Sequence, residues 1–411
     1  MRKINVLFMQ SQDYFGADSL VHSLLMRHFN RTSVTVYAAC NAGSRQKESA
    51  SLKALSGIEQ LNLRPTYFGP SINHTSKREI LAQAIPGGLA TLASLTSLAQ
   101  YIRKHSIDVI HCTEKPRDAF YGLLLARLTG ARCVIHIHVK AENWISPLVQ
   151  WAMRHADALV GVSQFVADSI VAMGYPANKT HAVLNSLDLN GWRADVDGSG
   201  VRQEYGVAPS TPLLAIVSRL FYWKGHVELL RALGQVKATH PDFKLLIVGA
   251  DDPRGMPGRG SFTAELKALS AELGLNEHVI FTGFRQDVPQ VMAACDIYAM
   301  PSFEEPFGMV YLEAMAMRKP VIALDNGGAR EVIEHGKSGL LSQPQDIDQL
   351  AANIRTLLDS PTLRVEMGAY GRQQVEQFFT PQRMAHEMER IYRSILGLPQ
   401  EVAKDIALAL Q

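Results

Sequence analysis

Hydrophobic and polar positions follow two rhythms along this chain. Short apolar runs bounded by turn residues read as buried strands. Between them, apolar residues recur at three- and four-residue spacing, which places them on one face of a helix. Residues 4–9 are strand-like, 19–29 carry helical spacing, and 33–39 are strand-like again. Residues 89–105 predict a helix closing on Arg103, Lys104 and His105, cations suited to a helix C-terminus. Residues 108–112 predict a strand, 118–128 a helix and 133–138 another strand. Past residue 200 the rhythm restarts, with strands expected at 213–218, 244–249, 278–282, 296–300 and 320–324. Such alternation implies parallel sheets covered by helices on both faces. Its restart implies two doubly wound α/β units. Residues 378–395 form a long amphipathic stretch.

At 411 residues, two domains are expected, and 47% apolar with 19% charged residues suits a chain with sizeable cores. The turn lies near residues 183–188, giving domains at 1–186 and 187–378, with 379–411 as a C-terminal helix and tail. The stretch 399–411 carries no readable pattern. Four scattered cysteines without a C-x-x-C pair point to reduced thiols and a cytosolic setting. The first apolar run soon turns polar and reads as a strand, not a signal peptide. No stretch reaches the ~20 apolar residues that cross a bilayer. Residues 1–188 hold 19 Lys and Arg against 12 Asp and Glu, and the remainder 22 against 27. The basic half leaves open a peripheral contact with an anionic membrane at its inner face, or a phosphorylated acceptor; drift between domains explains it equally simply. Nothing resembles a nucleic-acid module. Oligomeric state is not readable. Residues 250–260, rich in Gly, Pro and charge, read as a mobile loop beside a donor pocket, and 42–53, polar, as a surface loop near an acceptor side.

Residues 301–328, PSFEEPFGMVYLEAMAMRKPVIALDNGG, carry the most chemistry. Two carboxylates, Glu305 and Glu313, stand with seven residues between them. Phe307, Gly308, Met309 and Val310 sit where a loop becomes a helix. The first amides of a helix lack internal partners and face the positive end of its dipole, and a glycine lets an oxyanion approach closely. Carboxylates beside such a site make sense if they accept hydrogen bonds from hydroxyls on either side of a phosphate. A nucleotide sugar has that layout. Arg219 and Lys224, five apart across a strand–helix loop, can both reach one diphosphate, the first as a rigid fork and the second as a movable point charge. Isolated, each pair is also what a solvated surface offers.

Taken together, these stretches resemble the retaining glycosyltransferases of family four, the group 1 glycosyl transferases. The resemblance rests on the paired glutamates, the FG step, LEAMA, PVIALDNGG and EVIEHGKSGLL. It extends to SRLFYWKG, where Ser218 replaces the first glycine of the family's GRL-x-x-x-KG element. It is sharp from residue 213 to 341 and diffuse over the first 180. It implies a GT-B fold, two Rossmann-like domains facing a central cleft, with the C-terminal helix crossing back to the first. It implies that Glu305 holds the transferred sugar and Glu313 the ribose, while Arg219 and Lys224 hold the diphosphate. Gly16, in the first loop, would approach that diphosphate. His138, at the end of a strand, would lie near the anomeric centre, although Val139 replaces the family's following glycine. Arg285 would stand by the nucleobase.

On this reading the donor is a nucleotide sugar, most often a UDP-sugar in the family, and no cofactor or metal is expected. A metal beside His136 and His138 would need a third ligand, for which His111 is the one obvious candidate. Lys115 and Arg117, at a strand end, are candidates for an anionic acceptor. The acceptor remains open among a lipid, a polysaccharide and a natural product. Rival readings are a sugar-nucleotide epimerase or phosphorylase, and a nucleotide-sugar-binding homologue without activity. Asp195-Val196-Asp197 mimics a metal-binding D-x-D but lies in a linker, and Gly336-Lys337-Ser338 lacks the earlier glycine of a P-loop.

Overall fold

The computed structural model describes residues 2–43, 48–69, 77–251 and 260–400. The chain divides into two compact units, Met1–Asn185 with Pro381–Gln411, and Ser186–Thr380. The first holds strands β1 (Ile4–Gln10), β2 (Val34–Asn41), β3 (Asn62–Thr66), β4 (Val109–Thr113), β5 (Arg132–Ile137), β6 (Ala158–Gly161) and β7 (Thr180–Ala182). They form one sheet in the order β3-β2-β1-β4-β5-β6-β7, parallel at every pairing. The second unit holds β8 (Leu213–Val217), β9 (Lys244–Val248), β10 (Val279–Gly283), β11 (Ile297–Ala299), β12 (Val321–Leu324) and β13 (Gly339–Ser342). Its sheet runs β10-β9-β8-β11-β12-β13, again all parallel. The two-unit α/β architecture read from the alternation is thus the one observed.

Both sheets reverse their order beside their first strand, between β1 and β4 and between β8 and β11. At such a point the loops leaving the carboxyl ends diverge and leave a crevice, which is where open α/β sheets take ligands. Register is pinned by the same device in each unit. The aspartate before an inner strand accepts an amide from the first two residues of a neighbour and binds an arginine. Asp108 accepts from Asn5 N at 2.9 Å and pairs with Arg2. Asp157 accepts from Cys133 N at 2.9 Å and pairs with Arg132. Asp296 accepts from Leu213 N at 2.8 Å and pairs with Arg202. A one-residue slip would unmake these bonds and turn every side chain to the opposite face.

The first unit's core joins Val6, Phe8, Val36, Val109, Val134 and Val160 of the sheet to Leu25 of the Ala17–His28 helix. Met384, Met388 and Tyr392 of the Pro381–Ile395 helix complete it. That helix does not run on from residue 378 as the amphipathic pattern predicts. The Pro361–Phe378 helix ends there, and Pro381, which has no amide hydrogen to give, opens the next.

The expected loop at 42–53 is another correction. Ser49 accepts the Leu52 amide at 3.0 Å and caps the Ala50–Leu55 helix, whose Ser51 and Leu55 are buried. Residues 44–47 of that loop, 252–259 of the loop at 250–260, and 401–411 of the unreadable end lie outside the described residues. Among the described residues, no helix is long and apolar enough to cross a membrane.

Candidate active site

In the second unit, the loops leaving β8 and β11 interlock. Gly225 adopts φ +81, and a β-carbon there would stand 2.0 Å from the Pro301 carbonyl oxygen. Only glycine satisfies both the left-handed backbone and the approach. The Phe303 amide donates to the Trp223 carbonyl at 2.7 Å, and Ser302 Oγ donates to the same oxygen at 3.1 Å. On its other side, the Gly328 amide donates to the Glu305 carbonyl at 2.8 Å. Glu305 is therefore held by three segments far apart in sequence.

This clamp sets the chemistry. Lys224 Nζ donates to Glu305 Oε2 at 2.6 Å, and Ser302 Oγ, whose single proton is shared with the Trp223 carbonyl, lies 3.0 Å from the same oxygen. Lys224 also lies 4.0 Å over the Trp223 ring. Both partners of the ion pair are largely buried, so their separation is fixed by packing. An ammonium has three donors, and one is spent on Glu305, which leaves others for an anion. Glu305 Oε1 remains an acceptor of the kind a sugar hydroxyl needs.

The loops that carry the pair also lead into a cavity of about 750 Å³ at the carboxyl ends of β8 and β9, although neither Lys224 nor Glu305 lines it. Arg219, Arg285, Val310 and Glu313 line it, together with Trp192, Ser218, Asp251 and Phe284. The Arg219 guanidinium stacks 5.1 Å from the Phe221 ring. Glu313 sits in the Met309–Ala316 helix, and burial pushes its carboxyl up to about 7. That helix begins after Gly308, at φ +93, where a β-carbon would strike the Tyr311 ring, and no side chain caps its first amides.

Two expected contacts change character. The Phe307 ring is buried and packs edge-on against Phe379 at 6.2 Å, so it supports the loop from behind. The Arg285 guanidinium is engaged by Asp287 at 2.9 and 2.6 Å, Glu204 at 2.7 Å and Tyr205 at 2.7 Å. These carboxylates hold it well above the ordinary arginine range. Its charge is largely answered within the protein, while the residue still lines the cavity. Trp192 and Phe284 were not legible as cavity residues, whereas Asp251 belongs to the loop at 250–260 read from the sequence as lying beside the donor pocket. Phe284, 74% exposed, immediately precedes Arg285, and that adjacency was the available signal.

The remaining candidates belong to the first unit. Gly16 is extended and opens the Ala17–His28 helix, with Asp18 Oδ1 at 2.9 Å and the Tyr14 ring at 3.1 Å from where a β-carbon would stand. Lys115 Nζ pairs with Glu114 at 3.3 Å and Asp18 at 3.8 Å. Arg117 passes beside Gly69, with Cζ at 3.7 Å from the equivalent built position. His138 follows β5, and its amide donates to Glu114 Oε2 at 3.3 Å. Burial, followed by Lys115 and His111, lowers its imidazole to about 3, so the ring is neutral.

A parallel-sheet α/β unit that gathers an ammonium, a guanidinium and two carboxylates at its switch point is built like a sugar-nucleotide transferase. Residues 200–374 match the model for glycosyl transferases group 1, and 25–186 match that for the glycosyl transferase 4-like domain. The chain belongs to the group 1 glycosyl transferases; it is an enzyme that transfers a sugar from a nucleotide-sugar donor to an acceptor.

It is 36% identical over 320 residues to the GDP-mannose-dependent monoacylated alpha-(1-6)-phosphatidylinositol monomannoside mannosyltransferase of Corynebacterium glutamicum, covering 74% of this chain and 81% of that one. It is 26% identical over 325 residues to the putative glycosyltransferase EpsD of Bacillus subtilis, covering 75% and 82%. Among solved structures it resembles HepE of Anabaena in complex with UDP-glucose, with a TM-score of 0.74, 26% identity, and 96% and 100% of the two chains covered.

Proposed function

We propose that the chain is a retaining glycosyltransferase that moves a hexosyl unit from a nucleoside-diphosphate sugar to an acceptor hydroxyl without a catalytic metal. The observation that carries this is the Lys224–Glu305 pair at 2.6 Å, held on the loops that lead into the cavity of Arg219 and Glu313. Glu305 accepts from the transferred sugar and Glu313 from the ribose. Arg219, Lys224 and the amides of Met309 and Val310, freed by Gly308, hold the diphosphate between them. Charge grows on that diphosphate as the glycosidic bond breaks, so fixed cations bind the transition state better than the ground state. No side chain at the site is a secure nucleophile. The acceptor oxygen therefore attacks the face the diphosphate leaves, and the leaving phosphate takes its proton. From the first unit, the family resemblance supports a part for His138 toward the sugar, for Gly16 toward the diphosphate, and for Lys115 and Arg117 toward an anionic part of the acceptor.

The UDP-sugar preference expected from the sequence is narrower than the relatives support. The 36% identical relative is named for GDP-mannose, whereas the structural relative was solved with UDP-glucose. We place GDP-mannose first. The acceptor class stays among lipid-linked, polysaccharide and small natural-product hydroxyls.

Calorimetric titration with GDP-mannose, UDP-glucose and their free diphosphates tests the donor. Binding of neither sugar nucleotide sinks the reading. Lys224→Ala should lower turnover by about a hundredfold, equivalent to ~3 kcal/mol, with native circular dichroism. Near-normal turnover in that folded variant would count decisively against the mechanism. Release of an altered free sugar with no acceptor present would indicate an epimerase instead.

A further inference from the structure

Four histidine rings cluster in the interior of the first unit, on the sheet face covered by the Ala17–His28 and Pro381–Ile395 helices. His22 comes from the first of these helices, His111 from β4, His136 from β5, and His138 follows β5. His22, His111 and His136 are wholly buried. One nitrogen from each of these three lies within 4.8 Å of the others. The closest pair, His22 Nε2 and His111 Nε2, are 3.2 Å apart. Two nitrogens bound at ~2.05 Å around a tetrahedral centre are about 3.3 Å apart. We propose that His22, His111 and His136 form a binding site for one divalent transition-metal ion of the zinc type.

Three further features favour an ion over a hydrogen-bonded core. First, His111 Nδ1 is 2.7 Å from the Tyr392 hydroxyl. A proton on Nδ1 shared with that oxygen leaves Nε2 as a lone pair, the outer-shell arrangement that orients a metal-bound imidazole. Second, the His22–His111 contact satisfies at most those two rings. His136 Nδ1 and Nε2, His22 Nδ1 and His138 Nε2 are buried without a partner among the described residues. Orphaned buried nitrogens of this density call for an unseen ion or water. Third, a set of three imidazoles with no carboxylate selects Zn²⁺, Co²⁺, Ni²⁺ or Cu²⁺ over Mg²⁺ or Ca²⁺. The fourth position falls to water. The ion would tie one helix to two inner strands and take no part in holding the diphosphate. The sequence weighed only the two rings at the end of β5 and His111. His22 lies 89 residues before His111 and enters only through the fold.

The test uses the full, tag-free chain expressed in zinc-supplemented and in cobalt-supplemented medium. Elemental analysis after gel filtration should give about one metal per chain, and the cobalt form should show the visible bands of a tetrahedral nitrogen-ligated ion. Chelation should remove the bands and lower the melting temperature. His111→Gln and His136→Gln should abolish both bands and stoichiometry, while His155→Ala, on an exposed helix end, should retain them. A folded wild-type chain carrying no stoichiometric metal from either medium overturns the proposal, whether or not the variants fold. So does retention of full stoichiometry in a folded His136→Gln variant.

Discussion

The carboxyl of Glu313 lines the cavity and has no hydrogen-bond partner among the described residues, and burial raises it from an ordinary 4.5 to about 7. Its proton is therefore linked to both folding and binding. Between pH 4.5 and 7 the folded chain keeps a proton that the unfolded chain has released, so stability falls as pH rises through that window. Glu313→Gln should flatten this part of the melting-temperature profile between pH 5 and 8. An unchanged slope in the variant would refute the linkage. Ribose hydroxyls donate to the ionised form, so donor binding should release a proton and strengthen as pH rises through about 7. Titration in buffers of differing ionisation enthalpy measures that proton directly. Lys224 and Glu305 differ from Glu313 because each already has its counter-charge at 2.6 Å. Their pairing offsets the cost of burying either charge alone.

At the scale of elements, the loops matter more than the strands they join. Gly225 and Gly308 both adopt left-handed backbone at places where a β-carbon has no room. Gly225→Ala forces one against the Pro301 carbonyl, a backbone atom that cannot rotate aside. Left-handed strain alone costs about 1–3 kcal/mol, and the overlap adds to it. A lower denaturant midpoint together with loss of donor binding is expected, because Lys224 and Glu305 ride on the two loops in contact. Unchanged midpoint and donor affinity in the Gly225→Ala variant would show that the interlock is dispensable. The sequence made these loops legible because their residue types are unusual: paired glutamates, glycines beside aromatics, and a lysine before a glycine. Most inner strands, and the edge strand β10, were legible as short apolar runs, whereas the inner strand β6 and the edge strands β3, β7 and β13 were not. β3 reads Asn-Leu-Arg-Pro-Thr, too polar for a buried strand, and Pro65 is tolerated because one side of β3 has no partner strand. β7 has only the three residues Thr-His-Ala. The surroundings of Arg285 and Phe307 were not legible for a different reason. The sequence shows that a charge and a ring are near the site, but only packing shows that Asp287, Glu204 and Phe379 already occupy them.

Across the whole molecule, chain order and structural membership part company. The Pro381–Ile395 helix follows the second unit in sequence yet completes the hydrophobic core of the first. Met384, Met388 and Tyr392 are fully buried there, and Glu389 and Arg393 form a buried ion pair at 2.8 Å on the same helix. Glu389 also accepts from Ser33 Oγ at 2.8 Å, just ahead of β2, so the helix is fastened by polar bonds as well as by packing. The first unit's core therefore cannot be completed until the second has been synthesised. Met388→Ala removes a wholly buried side chain and should cost about 2–5 kcal/mol. The loss should fall on one unit. Hydrogen exchange should show β1 and β2 losing protection in the variant, while β8 and β9 keep theirs. Equal loss across both sheets would mean that the units unfold as one, and the apportioning of this helix to the first core would no longer explain the stability of either.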